Sequence, residues 1–317
     1  MARPVSSRAL SARVLAGLEE RPRLTAILGA MCIAFSGIFF RYSLVSPSTA
    51  TVFRCLYALP FLAFLAWRET RAQGPRTRRS HVVAIVAGVF FASDLTLYHH
   101  GVQFVGAGLG TVIPNLQVVI VAIVGWLFLR EHPDRRTWLA MPVAVAGALL
   151  ISGLLERGAY GADPPLGVAF GLGAGASYAG YLLVIRQGNR DGRRPFGTLF
   201  DASAATVVVA AVAGLAVGDL DIVPAFPAHG WLIALALISQ VAGYGLINLS
   251  LPRLPAVLTS VLLLSQPIAT LIFSAILLTE TPSAIQLAGV TLILGGVLLA
   301  AGRRAAPSVA EGAPEPA

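Results

Sequence analysis

Apolar runs of about twenty residues recur along the whole chain, and each can cross a bilayer core of roughly 30 Å as a helix. Only 12% of the 317 residues are charged and 56% are hydrophobic, against about 25% charged in a soluble domain. A water-facing surface cannot be built from so few charges. Inside hydrocarbon the backbone must satisfy its own N–H and C=O groups, which leaves helices or closed barrels. Barrel strands would read as alternating segments of about ten residues, a pattern absent here. The expected fold class is an all-α polytopic membrane protein.

Ten transmembrane helices are expected, near 24–45, 48–67, 81–100, 106–129, 137–155, 165–185, 196–217, 230–250, 256–278 and 283–302. Residues 1–23 read as a cytoplasmic N-terminal tail, and the Pro/Ala/Glu-rich 303–317 as a disordered cytoplasmic tail. The net charge of +8 is explained by topology rather than by a nucleic-acid partner. With the N-terminus inside, twenty arginines fall in inner segments and only Arg157 in an outer loop, with Arg41 and Arg54 within spans. That asymmetry follows the positive-inside rule and places both termini in the cytoplasm. The partners are then the lipid bilayer of the cell (cytoplasmic) membrane and a small-molecule substrate. No signal for an oligomeric state is present.

The stretch Gly108–Glu131 returns 149 positions later as Val257–Glu280. At that offset Gln117 falls on Gln266, Glu131 on Glu280 and Gly147 on Gly296. Several matches at one gap-free offset indicate duplication, with units at 24–155 and 165–302. Each unit holds five expected spans, an odd number, so the second is inverted in the membrane. Inverted repeats are a common construction of secondary transporters, with the site at their interface.

The paired segments NLQVV…WLFLRE and LSQPIATLIFSAILLTE resemble the drug/metabolite transporter superfamily, and its EamA-type members more narrowly. VFRCLYALPFL (52–62) and the closing spans TWLAMPVAVAGALLIS and QLAGVTLILGGVLLA are similar to the same pattern, so that the resemblance covers about 24–302. The first unit departs from it: Gln117-Val118 stands where the second has Gln266-Pro267, and its proline is shifted to Pro114. The resemblance implies export or exchange of small metabolites, such as amino acids or related compounds, and leaves the cargo open. A sugar-phosphate or nucleotide-sugar exchanger is an alternative, but it needs a basic cavity and only Arg41 and Arg54 are available. A membrane-embedded enzyme is a further alternative. Asp94 with His99 is its nearest constellation, and no nucleophile accompanies it, so the chain is read as not an enzyme.

Intramembrane polar residues are the informative ones, because each needs a partner or a watered cavity. Gln240, Tyr244 and Asn248 stand four apart in the eighth span, and Asp94, Tyr98 and His99 cluster in the third. These two seams either line a substrate cavity or bond helix to helix. The amides Asn115, Gln117 and Gln266, near Pro114 and Pro267, either satisfy freed carbonyls or line the same cavity. Tyr178 and Tyr181 offer an aromatic wall. Depth at 1.5 Å per residue suggests an ion pair of Asp94 with Arg54 or Arg41, structural or gating. Asp201, the repeat counterpart of Arg54, is expected to pair with Arg186 or Arg194 near the inner face. Glu131 and Glu280 are expected to cap the following helix or to pair with Arg130, Arg135 or Arg136. Gly167, Gly171, Gly175 and Ala179 form a close-packing stripe. His99 and His100 are adjacent rather than i, i+4, so no metal is expected, and no other cofactor. Protons remain a candidate coupling ion, through a titrating His or Asp94.

Overall fold

The computed structural model describes residues 18, 20–117, 119, 120, 123, 135–188, 194–250, 253, 254 and 262–301. Both tails, the later part of the fourth expected span with Arg130 and Glu131, and the start of the ninth lie outside the described residues. Among the described residues the secondary structure is helical throughout.

The first expected span is two helices, α1 (Pro22–Ala34) and α2 (Ser36–Ser43), interrupted at Phe35. Leu44 closes α2 in the left-handed region at φ 54°. The Ser46 side chain then accepts from Thr49 N–H, and Pro47 opens α3 (Pro47–Gln73), where its missing N–H costs nothing. Next comes α4 (Arg78–Val112). Straight, it would measure about 52 Å, far more than the bilayer core. Gly106, at φ 85° and ψ 169°, breaks it. Helix therefore fills 101–105, where the sequence suggested a loop, and the break falls on Gly106, the first residue of the expected fourth span. A side chain at Gly106 is doubly barred, because its Cβ would also lie 2.7 Å from the Glu280 carboxylate. A 3₁₀ turn, Ile113–Leu116, follows and contains Pro114.

The remaining elements are α5 (Arg135–Ile151), α6 (Pro164–Gly188), α7 (Pro195–Val217) and α8 (Phe226–Ala234). A π-helical segment, Leu235–Gly243, leads into α9 (Tyr244–Ser250), followed by α10 (Ser265–Leu277) and α11 (Ala284–Ala301). Six described stretches are long and apolar enough to cross a membrane, and Ser265–Leu277 and Ala284–Ala300 are shorter apolar helices. The protein is thus an all-helical polytopic membrane protein.

Helices of the two units pack side by side and antiparallel. At one end of the α3–α7 pair, Asp219 accepts from Ser48 N–H at the start of α3, at 3.1 Å. At the other end, Glu69 accepts from Phe196 N–H (3.0 Å) and Gly197 N–H (2.7 Å) at the start of α7. Both acids sit where orphan amides and the helix dipole favour negative charge. The expected glycine stripe on α6 does pack closely: a Cβ on Gly167, Gly171 or Gly175 would meet Val105, Ile113 or the Pro114 carbonyl at 2.3–2.9 Å. The α5–α11 pair closes through Gly147 and Gly289, where a Cβ on either would come within 2.7 Å of the other's carbonyl oxygen. Lipid offers no hydrophobic drive for helix association, so such close contact carries the packing. Gly289→Leu should therefore cost about 1–3 kcal/mol, read as a lower Tm in detergent. Gly295→Leu, with nothing within 4 Å of the new Cβ, should stay within about 0.5 kcal/mol.

Candidate functional site

Both units contribute walls to one cavity of ≈ 120 Å³, room for a solute of roughly ten non-hydrogen atoms. Ile33, Ser36, Arg54, Asp94, Leu95, Tyr98, Thr111, Pro114, Asn115 and Gln117 line it from the first unit. Tyr178, Tyr244, Ile247, Leu263 and Gln266 line it from the second. The sequence-derived candidates Asp94, Tyr98, Asn115, Gln117, Tyr178, Tyr244 and Gln266 thus meet around one space, together with Arg54.

Arg54 is 1% exposed and held by neutral groups. Its Nε donates to Gln240 Oε1 (2.9 Å) and its Nη1 to Ser36 Oγ (2.8 Å), while the guanidinium lies 5.8 Å from the Tyr244 ring centre. Gln240 in turn donates from Nε2 to Ser203 Oγ at 3.1 Å. The expected Asp94–Arg54 ion pair does not form: neutral acceptors occupy these guanidinium nitrogens, and no salt bridge joins the two residues. Nor does Arg41 replace it, since Arg41 is exposed at the end of α2. Asp94 is only 6% exposed and has no hydrogen-bond or ion-pair partner among the described residues.

Other candidates stand behind the wall rather than on it. His99 is fully buried, its ring 4.7 Å from Phe40. His99 Nδ1 shares a hydrogen bond with Thr51 Oγ1 (2.9 Å), and its Nε2 has no partner among the described residues. Thr51 Oγ1 also lies within hydrogen-bond distance of the Pro47 carbonyl (3.0 Å). Neighbours on a helix point about 100° apart, so Tyr98 faces the cavity and His99 cannot. Tyr181 stacks on Phe91 (4.9 Å) and on Tyr178 (5.7 Å), backing the tyrosine that does reach the wall. The Gln240–Tyr244–Asn248 stripe is broken by the π-helical turn over Leu235–Gly243, whose wider i→i+5 bonding shifts the register. Tyr244 lines the cavity, Gln240 supports Arg54, and Asn248 lies off the lining. Asn115 does both things expected of it: it lines the cavity, and its Nδ2 donates to the Thr111 (2.9 Å) and Val112 (3.2 Å) carbonyls.

The carboxylates at the bundle ends also differ from expectation. Asp201 pairs with Arg76 and with His81 Nδ1 (2.7 Å), not with Arg194, which donates to Gln73; the Arg186 side chain lies outside the described residues. Asp201 sits well inside α7 and faces the α3–α4 connection that carries Arg76. Glu280 is 2% exposed and accepts from Ala107 N–H (2.7 Å) and Gly108 N–H (2.9 Å). It thus caps a helix of the other unit instead of α11, and it does not pair with Arg135 or Arg136. Close by, Phe35 stacks on Phe273 (4.9 Å) and the Tyr42 hydroxyl donates to the Leu277 carbonyl (2.6 Å). These contacts join the two units at the Glu280 end. Among the described residues no three His, Cys, Asp or Glu side chains gather as a metal site.

The family model for EamA-like transporters matches the chain twice, over residues 22–153 and 165–302. The chain belongs to the EamA-like transporter family. Among similar proteins, the uncharacterized transporter YwfM of Bacillus subtilis is 27% identical, over 68% of this chain and 72% of its own. The uncharacterized transporter sll1319 of Synechocystis is 22% identical, over 93% of this chain and 98% of its own. A crystal structure with 14% identity superposes at a TM-score of 0.58, over 89% of this chain and 97% of that one, and shares the fold.

Within this EamA-family cavity, sequence reasoning passed over Ser36 and Thr111. Thr111 is recoverable from the i, i+4 spacing to Asn115. Ser36 carries no signal, because its role depends on the break at Phe35. Gln240→Leu should remove a bond to a buried cation and cost about 1.5–3 kcal/mol, measured as a drop in Tm. Gln266→Leu, with no side-chain hydrogen bond among the described residues, should change stability by about 0.5 kcal/mol or less.

Proposed function

We propose that this EamA-family protein is a secondary transporter that exports small organic metabolites, such as amino acids or related compounds, across the cytoplasmic membrane by alternating access. The observation that carries this reading is a cavity at the seam between two repeated units, walled by both. Two similar halves can exchange conformations about such a site. The topology proposed is ten spans, as inverted five-helix units over 24–155 and 165–302 with both termini cytoplasmic. The arginine asymmetry supports it. So do the acids Glu69 and Asp219, which serve corresponding positions at opposite ends of the bundle.

In that orientation the end at which Glu280 holds Ala107 and Gly108 faces outward. The substrate residues are Asp94, Tyr98, Asn115, Gln117, Tyr178, Tyr244 and Gln266, with Arg54 fixed behind them by Gln240 and Ser36. The cavity size favours small solutes. Phosphorylated cargo is disfavoured, since one arginine, already bonded to neutral acceptors, does not make a basic pocket. Relatives described as transporters support transport over catalysis.

Proteoliposomes loaded with a panel of amino acids and related metabolites should show protein-dependent efflux of at least one member; no flux across the panel overturns the reading. Opening outward must release Glu280 from Ala107 and Gly108. Glu280→Ala should therefore raise, at least severalfold, the labelling of Ser36→Cys by an impermeant maleimide added outside. The background for this test carries alanine at Cys32 and Cys55. Unchanged labelling removes Glu280 as the outer closure.

A further inference from the structure

We propose that Asp94 forms an ammonium subsite, at which the amine of a small organic solute displaces a proton. The proposal deepens the transport reading by naming the chemical group recognised, but it is a binding claim and can be tested without flux. The other buried or half-buried acids described above are matched. Glu280, Glu69 and Asp219 accept backbone N–H groups, and Asp201 holds Arg76 and His81. Asp94 is 6% exposed, lines the cavity and has no partner among the described residues. Gln117 lines the same cavity, and its Oε1 is buried with no donor. An unmatched carboxyl group on the cavity wall, with an unmatched amide oxygen buried in a neighbouring wall residue, calls for a compact group with several N–H donors. A primary ammonium has three, and the ring faces of Tyr178 and Tyr244 in the same wall favour a cation.

The empty cavity cannot hold a lone carboxylate cheaply in hydrocarbon, so Asp94 keeps its proton until the ammonium arrives. The Asp94 O–H bond then breaks, the proton leaves to water, and the ammonium takes its place, so the charge of the site is unchanged. The titratable groups facing Asp94 are Arg54 from α3, Tyr178 and Tyr181 from α6, and Tyr244 from α9, with Tyr98 on its own helix. Arg54 is the one permanent charge among them. Its Nε and Nη1 are bonded to Gln240 and Ser36, so it does not stand in for the missing partner.

Three solutes of one shape separate the possibilities: isoamylamine, leucine and isocaproate, each added to the full-length protein in detergent. Isoamylamine and leucine should raise Tm, and isocaproate should not. Affinity for isoamylamine should tighten with rising pH, by about tenfold per unit while one proton is displaced. In weakly buffered solution, binding should release about one proton per amine, a readout that needs no variant. Asp94→Asn should abolish both the amine stabilisation and the proton release, and Asp94→Glu should retain them. Equal stabilisation by isocaproate, no stabilisation by isoamylamine, or binding without proton release overturns the proposal. Amine binding without flux in proteoliposomes leaves the subsite standing and removes the transport reading instead.

Discussion

A helix that begins within a membrane protein leaves its first amide N–H groups without partners, and hydrocarbon supplies none. This chain meets that demand across the two units. Glu69 caps α7, Asp219 caps α3, and Glu280 caps the helical run that starts at Ala107. Each acid also gains from the positive end of the dipole it faces. The caps therefore do two things: they satisfy backbone groups, and they fasten one unit to the other. Because they sit at the ends of the bundle, the middle is left free for a cavity.

The middle is organised around Arg54. A buried guanidinium needs acceptors, and here they are neutral: an amide and a hydroxyl, with a tyrosine ring alongside. This arrangement keeps the cation in place without neutralising it. It also leaves Asp94 unpaired in the same cavity, an expensive state in a low-dielectric interior. A permanent cation and a carboxyl group thus face a shared space with no direct bond between them.

Composition and periodicity made the helical membrane fold legible, and the 149-residue offset made the duplication legible, because both are properties of long stretches. Much of the cavity was legible as well. Polar residues such as Asp94, Gln117 and Gln266 are conspicuous in apolar runs, and their surroundings leave few places to put them. Partner choice was not legible. Depth alone suggested Asp94–Arg54, but the Phe35 break carried Ser36 to the guanidinium, and the π-helical turn carried Gln240 there. Asp201 was assigned to arginines near in sequence, whereas its partners come from the α3–α4 connection and the first turn of α4. Ideal 3.6-residue spacing cannot foresee a π turn, so Asn248 was grouped with Tyr244 although only Tyr244 reaches the wall.

The break at Gly106 has a mechanical side. A loop would let two membrane helices shift independently, but a single glycine between helical arms has no slack. Residues 78–105 and 107–116 are two helical arms joined at Gly106, and Asp94 stands on one arm with Gln117 just past the end of the other. Glu280 grips the joint. A pull on that joint therefore acts on both arms at once, and on the two acceptors they carry.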